Sequence, residues 1–544
     1  MKRIIQLVSL VVLSAILFAG CRQADAPQVA ADPVATVAPA ATPAPEAPPA
    51  DVAPEPLSVM VHDRAGLTPA EDNFYTDWIR EEVLRELNLD VTFVPVPRWS
   101  ADEAISNMFA AGNMTDLGFS SDRGMIATFG RQGGIVNIAP YLNDHLHEWP
   151  NLEAWTDYLL WRNEDPQTGE IFSIHQRRVS QARHNTYIRY DWLNHLGLPL
   201  PTTTDEWLDA LRAFRDNADD LPNRPEGAQI IPFTMSQNIQ WRAGNLLNSF
   251  IDPNLTEQQL FMYNVADRPV LIPGIKEGAR VLNMMFNEGL LDPDFILYSD
   301  NEIPDNLARI GVLGSWMYNW PGAWNMQPDL QEIHPDAQFR AIDPFRNPET
   351  GLTQKFIYDS AGTGMFVAAT APSALNVFRY LEWMATLDNR LFIQLGPEGI
   401  THEWIDGLPV TIDLEGEFHM NSGQNLDLTP IINGLDLGSP DLNSREMAAR
   451  FQGVDSDIVV ESINMALANG RPFPVVIVPG GLDFESANTA VFREMNSEIL
   501  AVSITAPVDQ FDETWDRLVQ NYLNAGGQRA MDERYEGYLR AQGR

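Results

Sequence analysis

The residues best suited to contacting a ligand are aromatic side chains that alternate along a predicted strand. Trp316, Tyr318 and Trp320 lie two residues apart, and a Pro-Gly pair then ends the run. On a strand, this alternation places the three rings on one face. The rings could stack on the ring of a bound ligand, or they could pack within a core. Both interpretations stay open at the level of sequence.

A charged pair follows the third predicted strand. Strand-like and helix-like segments alternate over residues 57–119, with helices predicted over 74–87 and 101–111. This alternation predicts an α/β lobe with a mainly parallel sheet. Ligands of such sheets sit beyond the carboxyl ends of the strands, where Asp122 and Arg123 would lie. The same two residues could instead form only a solvent-exposed ion pair.

The remaining residues give no pattern for catalysis or metal binding. No phosphate-binding Gly-Lys-Ser/Thr loop and no Gly-x-Ser-x-Gly elbow occurs, so nucleotide use and acyl transfer lack support. His145 and His147 would point to different faces of a helix, and a single cysteine cannot build a thiolate cluster. With 74 acidic residues, some carboxylate pair at glycosidase separation is inevitable and indicates nothing. We expect a protein that is not an enzyme.

The overall charge restricts the partners. The chain of 544 residues has a formal net charge of −38, which repels phosphate backbones, so nucleic acid is not expected as a partner. The same charge disfavours tight docking on anionic lipid. The length predicts two or more domains.

The amino-terminal segment has the pattern of an export signal. In residues 1–20, two basic residues precede an apolar run that is too short for a transmembrane helix. The sequence LFAGC, ending at Cys21, resembles the lipobox of bacterial lipoproteins, in which this cysteine carries the lipid. Residues 21–56 are rich in proline and alanine and predict an extended tether. We expect an extracytoplasmic protein, at the cell surface or in the periplasm, that is attached to the membrane only by this lipid. A plain secreted protein is the alternative.

A longer resemblance covers nearly the whole mature chain. Residues 187–215, YIRYDWLNHLGLPLPTTTDEWLDALRAFR, predict a short helix, an extended link and a second helix with a capping box at Thr203 and Glu206. This order resembles the hallmark of the family 1 extracellular solute-binding proteins, the receptors of carbohydrate ABC importers. The resemblance is closest to the long lipoproteins that include alginate-oligosaccharide receptors. Four further segments resemble the family in the same order, at residues 108–116, 283–295, 392–407 and 514–540.

The resemblance implies the architecture of the chain. Members of this family have a type II periplasmic-binding-protein-like fold, in which two α/β lobes joined by crossover segments close on a ligand. We place the crossings near residues 182–186, near residues 340–350 and near Leu395. The expected lobes comprise residues 57–182 with 345–395, and residues 183–344 with 396–544.

The resemblance also implies the function. The protein would capture a carbohydrate, in our interpretation an oligosaccharide, between its lobes and deliver it to the permease of an ABC importer, acting as a monomer. A receptor for a non-sugar solute such as a peptide remains an alternative on this fold, and a secreted glycan-degrading enzyme is a more distant one. The family lines its cleft with a Trp-rich segment at the position of Trp316 and Trp320, and Asp122-Arg123 resembles a pair that binds sugar hydroxyls in maltodextrin receptors. Further candidate ligand contacts are Trp241, Arg242, Asp359, Glu398 and Trp404.

A calcium-binding loop found in some relatives is only partly present in this sequence. Some alginate-binding relatives have a calcium loop at the position of residues 215–226. Asp216, Asp219 and Asp220 remain here, but the central glycine is missing and two prolines intrude. This argues against a bound calcium ion, and we expect no cofactor.

Overall fold

The computed structural model describes residues 52–63, 69–159, 164–165, 168–299, 301–412, 425, 427–451, 453–476, 478 and 481–542. The predicted signal peptide, Cys21 and the tether up to residue 51 lie outside these residues.

Strands and helices alternate through the described chain. The strands are β1 (Glu55–Asp63), β2 (Leu89–Pro97), β3 (Leu117–Ser120), β4 (Ile174–Arg178), β5 (His184–Arg189), β6 (Ile231–Phe233), β7 (Leu313–Asn319), β8 (Phe339–Ile342), β9 (Lys355–Ile357), β10 (Ala361–Val367), β11 (His402–Ile405), β12 (Leu408–Thr411), β13 (Ile432–Asn433) and β14 (Gly470–Pro472).

The α-helices of the same residues separate these strands or follow them. They are α1 (Phe74–Leu87), α2 (Ala101–Ala111), α3 (Arg123–Arg131), α4 (Ala139–His145), α5 (Pro150–Leu159), α6 (Tyr190–His195), α7 (Thr204–Asp216), α8 (Ile239–Arg242), α9 (Gly244–Ser249), α10 (Glu257–Tyr263), α11 (Ile275–Asn287), α12 (Glu302–Arg309), α13 (Gly322–Ile333), α14 (Ala374–Ala385), α15 (Leu387–Leu395), α16 (Pro440–Ala449), α17 (Ser456–Leu467), α18 (Asp483–Thr505), α19 (Phe511–Tyr522) and α20 (Gln528–Ala541).

Local capping signals set the helix bounds. The helices predicted over 74–87 and 101–111 are confirmed, and α1 ends at Asn88, whose φ of 55° lies in the left-handed region. At the start of α7, the Glu206 N–H donates to the Thr203 hydroxyl at 3.2 Å. The Thr203 N–H donates to the Glu206 carboxylate at 3.1 Å, which completes the predicted capping box.

The first lobe is built on a mainly parallel sheet. Among the described residues its strand order is β13-β4-β10-β3-β1-β2. β1 pairs in parallel with both β2 and β3, and β13 pairs in parallel with β4. β10 alone runs in the opposite direction, antiparallel to both β3 and β4. The prediction of a mainly parallel sheet is confirmed for this lobe.

The second lobe has a smaller sheet in which, as in the first, one strand runs opposite to the others. Its strand order in the described residues is β6-β7-β5-β8. β6 is parallel to β7, whereas β5 is antiparallel to both β7 and β8. Apolar side chains cover both faces of β7, because Trp316 belongs to one core cluster and Met317 to another.

The reversed strand of each sheet has a topological cause. β5 is the first strand after the crossover from the first lobe, and β10 is the first strand after the crossover from the second lobe. Each of these two strands therefore begins at the edge of the sheet that faces the crossovers. At that edge, His184 at the start of β5 pairs with Asn319 at the end of β7. In the first sheet, Gly364 in the middle of β10 pairs with Ser120 at the end of β3. The carboxyl ends of the other strands therefore lie at the crossover edge of each sheet.

The third crossing lies later in the chain than expected. β13 pairs with β4 through Ile432 and Asn433, and Ile431 packs in the first lobe's core. Ala448 of α16 and Val459 of α17 belong to a core of the second lobe. The chain therefore leaves the first lobe after residue 433, and not near Leu395 as the sequence suggested.

Candidate functional site

The first two crossovers are hydrogen-bonded to each other. The Tyr358 N–H donates to the Gln181 carbonyl, and the Gln181 side-chain amide donates to the Tyr358 carbonyl, both at 2.9 Å. The Arg178 N–H donates to the Ser360 carbonyl at 2.9 Å. The segment between β4 and β5 is thus fixed against the segment that precedes β10. This second crossing, at residues 358–360, lies later than the expected 340–350, because Phe345 and Phe356 belong to the core of the second lobe.

The third crossover lies against the first. The Val179 N–H donates to the Asn433 carbonyl at 3.0 Å. Gly434 has a φ of 102°, and a Cβ there would lie 3.1 Å from the Val179 Cβ, so glycine suits both the backbone conformation and the close approach. Arg177 forms an ion pair with Asp436 at 2.9 Å. All three crossovers therefore meet at one place between the lobes.

A cavity of about 280 Å³ opens beside these crossovers. Arg183 and His184 contribute from the first crossover and β5, whereas Asn245 and Asn248 contribute from α9. Phe356 and Phe473 add apolar rings whose centres are 4.6 Å apart. The wall therefore combines amide and cationic groups with flat apolar faces. The other lining residues are Gln240, Gly244, Asn264, Asp267, Pro269, Pro474 and Val475.

Burial perturbs the titratable groups at this place. Burial lowers the pKa of the Arg183 guanidinium, and the Tyr358 hydroxyl acts in the opposite direction. Burial also lowers the pKa of His184 well below its ordinary value, and the positive charges of Arg183 and Arg242 add to this effect. His184 is therefore a neutral imidazole at neutral pH. Its ring packs edge-on against Trp241, with the ring centres 4.1 Å apart.

The first lobe contributes a second, polar cavity at the carboxyl ends of its strands. This cavity has a volume of about 220 Å³. Ser120 at the end of β3 donates from its hydroxyl to the Asp102 carboxylate at 2.8 Å and accepts the Asp122 N–H at 2.9 Å. The cavity is lined by His62, Arg98, Ser100, Ala101, Asp102, Glu103, Phe119, Ser120, Ser121 and Thr363. Hydroxyls and carboxylates at such a position match the hydroxyl groups of a polar ligand.

Two of the predicted ligand contacts are core residues. Trp316 is 0% exposed, and its ring packs edge-on against Phe339 with the centres 4.6 Å apart. Arg242 is also 0% exposed and forms an ion pair with Asp305 at 2.5 Å. The Arg242 guanidinium carbon lies over the Tyr318 ring, 3.9 Å from the ring centre. The structure therefore assigns Trp316 to packing and Arg242 to a buried ion pair, and not to ligand contacts.

Three other candidates lie at the crossovers or beside them. The Trp320 N–H donates to the Arg183 carbonyl at 2.8 Å, which places this residue at the edge of the second sheet. The Arg183 guanidinium lies 5.5 Å from the ring centre of Trp241. Asp359 accepts the Ala361 N–H at 3.0 Å at the start of β10. These half-buried side chains remain predicted ligand contacts.

The last four candidates lie elsewhere. Asp122 is the N-cap of α3 and accepts the Met125 N–H at 2.9 Å, and Arg123 begins that helix. Glu398 is exposed, and Trp404 is 39% exposed on β11 of the β11–β12 hairpin. None of the four lines the cavity at the crossovers.

Two cationic groups at the crossovers were not predicted from the sequence. Arg178 and Arg183 lie at the two ends of the first crossover, and Tyr358 lies between them on the second. The guanidinium carbons are 4.3 Å and 5.6 Å from the centre of the Tyr358 ring. The available signal was the position in the chain, because the first crossing was expected near residues 182–186, a range that contains Arg183 but not Arg178.

The described residues hold neither a membrane-spanning helix nor a metal cluster. None of their helices is both long and apolar enough to cross a bilayer. No three His, Cys, Asp or Glu side chains among them are placed to bind a metal ion. In the loop compared with a calcium site, Asp216 pairs with Arg215 at 2.7 Å and Asp220 lies 3.1 Å from His195.

Two curated proteins resemble parts of this chain. LipO, a lipoprotein of Bacillus subtilis (strain 168), is 24% identical over 332 residues, which cover 58% of this chain and 62% of LipO. The polygalacturonan/rhamnogalacturonan-binding protein YtcQ of the same organism is 27% identical over 147 residues, 27% of this chain and 28% of YtcQ. The chain thus spans less than two thirds of the length of either relative. No family model matches it.

The comparison with solved structures establishes the class of fold. An HMO binding, ABC-transporter-associated solute-binding protein from Bifidobacterium longum infantis superposes with a TM-score of 0.64 at 16% identity. The match covers 89% of this chain and 98% of that protein. The chain has the two-lobed α/β fold of the solute-binding proteins, as the sequence predicted.

Proposed function

We propose that this protein is the extracytoplasmic receptor of an ABC importer and that it captures an oligosaccharide between its two lobes. The observation that carries the proposal is the meeting of three crossovers beside a cavity of about 280 Å³. Its wall offers amides and cations for hydroxyl groups and two phenylalanine rings for the C–H faces of sugars.

The names of the relatives agree with this proposal. YtcQ is described as a polysaccharide-binding protein, and the superposed Bifidobacterium protein is described as associated with an ABC transporter. These relatives are binding proteins, so the proposal has no catalytic step and needs no cofactor. The protein would act as a monomer and pass its ligand to the permease subunits.

Attachment to the membrane is a further part of the proposal. LipO is named a lipoprotein, and Cys21 follows a segment that resembles a lipobox. Cys21 would carry the lipid, and the tether would hold the folded part away from the membrane. Mass spectrometry of the native amino terminus tests this directly. An unmodified peptide across residues 19–23 in the membrane-associated protein would refute it.

The receptor function is tested by binding without turnover. The purified full chain is incubated with an oligosaccharide panel, and its melting temperature is measured beside the release of new reducing ends. A ligand that binds only the folded state stabilises it by about 2.7 kcal/mol when the free ligand concentration is 100 times the Kd. The melting temperature should therefore rise. Reducing ends should stay at the level without protein. Turnover that survives rigorous purification would favour the hydrolase alternative.

A further inference from the structure

Among the described residues, three buried arginines, Arg189, Arg242 and Arg534, are each paired with a carboxylate. In the second lobe, the fully buried Arg189 pairs with Asp191 at 2.8 Å. The buried Arg534 donates to Glu485 at 2.6 Å. Matching is expected because a desolvated cation without a counter-charge is strongly destabilising. An arginine that lacks such a partner therefore calls for an explanation.

Within the described part of the chain, Arg178 and Arg183 are half-buried and lack such a carboxylate partner. Among the described residues, neither forms an ion pair with a carboxylate, and the Nε of each is buried without a hydrogen-bond partner. Burial lowers the pKa of Arg178, and the positive charge of Arg183 lowers it further. The Asp359 carboxylate opposes this effect from the second crossover. Two like charges are thus held close together in a protein whose net charge is −38.

The aromatic ring between the two arginines fixes their position. Arg178 lies over the Tyr358 ring at 4.3 Å, and Arg183 approaches the same ring at 5.6 Å. Cation–π contacts orient a guanidinium and leave its N–H groups available in the plane of the fork. A guanidinium fork matches an oxyanion with two parallel hydrogen bonds.

The cavity lined by Arg183, though not by Arg178, provides further polar groups without a partner. The His184 Nε2 and the Gln240 Oε1 are both buried without a hydrogen-bond partner, and both residues line the cavity together with Arg183. The one carboxylate in the cavity wall, Asp267, has an oxygen 3.8 Å from Arg534. The wall thus offers positive charge and hydrogen-bonding groups that the described residues leave unmatched.

We propose that the captured solute is an anionic oligosaccharide, one of whose carboxylate or sulfate groups is bound by Arg178 and Arg183. The proposal rests on the proposed function and names its substrate class. The oxyanion supplies the missing counter-charge, and the neighbouring amides contact the sugar hydroxyls.

The test compares acidic ligands with their neutral counterparts on the full chain. Calorimetric titrations use oligosaccharides of galacturonate, of alginate and of a sulfated galactan, each beside its methyl-esterified or desulfated form, together with a neutral galacto-oligosaccharide. At least one acidic ligand should bind, and removal of its charge should weaken binding by about 10- to 100-fold. Preference for the uronates or for the sulfated ligand identifies the source of the oxyanion.

Variants then assign the effect to the two arginines. Arg178→Gln and Arg183→Gln should each weaken binding of the acidic ligand about 10-fold or more and leave binding of its neutral form within about two-fold. Arg309→Gln, at an exposed ion pair with Asp329, is the matched control and should change neither affinity. The comparison of charged and neutral ligands on the unmodified chain needs no variant, so it remains informative if a variant fails to fold.

The possible failures are distinguishable. Equal affinity for acidic and neutral forms would overturn the anionic class and leave the oligosaccharide receptor intact. Binding of acidic ligands that is unchanged in both arginine variants would overturn the assigned site. Absence of binding by every saccharide would overturn both this inference and the proposed function.

Discussion

Trp320 and Arg183 are joined by a backbone hydrogen bond in which the Trp320 N–H donates to the Arg183 carbonyl at 2.8 Å. The bond joins the residue just beyond β7 to the residue just before β5. It fixes the last aromatic residue of the second sheet against the first crossover, which is the part of the chain that joins the lobes. We expect a ligand held between the lobes to contact both residues.

Trp316, four residues earlier and within β7, should contribute strongly to the stability of the fold. Trp316→Ala is expected to lower the free energy of unfolding by about 3–5 kcal/mol, because the ring is fully buried between Tyr187 and Phe339. Urea unfolding measures this change. Trp404→Ala, at a side chain that is 39% exposed, is the control and should stay within about 0.5 kcal/mol. Equal losses in the two variants would contradict the assignment of Trp316 to the core.

The buried pair of Arg242 and Asp305 should also be structural. Asp305→Ala is expected to destabilise the fold by about 3–5 kcal/mol, because it leaves a fully buried guanidinium without its counter-charge. Replacing both members, as Asp305→Ala with Arg242→Met, should recover part of this loss. Asp329→Ala, at an exposed pair with Arg309, should cost at most about 1 kcal/mol. A double variant less stable than Asp305→Ala would show that the unpaired charge is not the cause.

His184 predicts a dependence of stability on pH. Because burial holds its pKa well below 6.5 in the folded protein, the unfolded chain binds a proton near that pH whereas the folded protein does not. The stability associated with the neutral ring is therefore present above about pH 6.5 and is lost as the pH falls below it, by at most about 1.4 kcal/mol per pH unit.

The His184→Gln variant isolates this contribution. Its free energy of unfolding should fall less steeply than that of the wild type between about pH 6.5 and 5, since the other titrating groups are common to both proteins. Unfolding in urea at a series of pH values measures the two slopes. Parallel curves would mean that the imidazole titrates alike in the folded and unfolded chains.

The sequence predicted the local elements and the class of fold better than the site. The bounds of α1 and α2 and the capping box of α7 follow from signals that lie within a few residues of each helix end. The partners of buried groups are distant in sequence, as Asp305 is from Arg242. An arginine that will be neutralised by a carboxylate therefore looks the same in sequence as one that is not.

Alternation along β7 also does not distinguish a core ring from a ligand-binding ring. A period of two correctly places Trp316 and Trp320 on one face of the strand, but it does not say how far each lies from the sheet edge. Trp316 pairs with Tyr187 inside the sheet, whereas Trp320 follows the last residue of the strand. Four residues of chain, about 13 Å if extended, separate this core position from Trp320 beyond the end of the strand.

Trp320 is therefore the aromatic residue of this run that we expect to contact the ligand. Trp320→Ala should weaken binding of the oligosaccharide by roughly 1–3 kcal/mol, about 10- to 100-fold in affinity. Its effect on the free energy of unfolding should be smaller than that of Trp316→Ala, because the Trp320 side chain is only half-buried and its backbone hydrogen bond to Arg183 survives the change. Calorimetric titration and urea unfolding of the same two variants measure both quantities. A destabilised Trp320→Ala variant that binds with normal affinity would assign this ring to the core and remove it from the site.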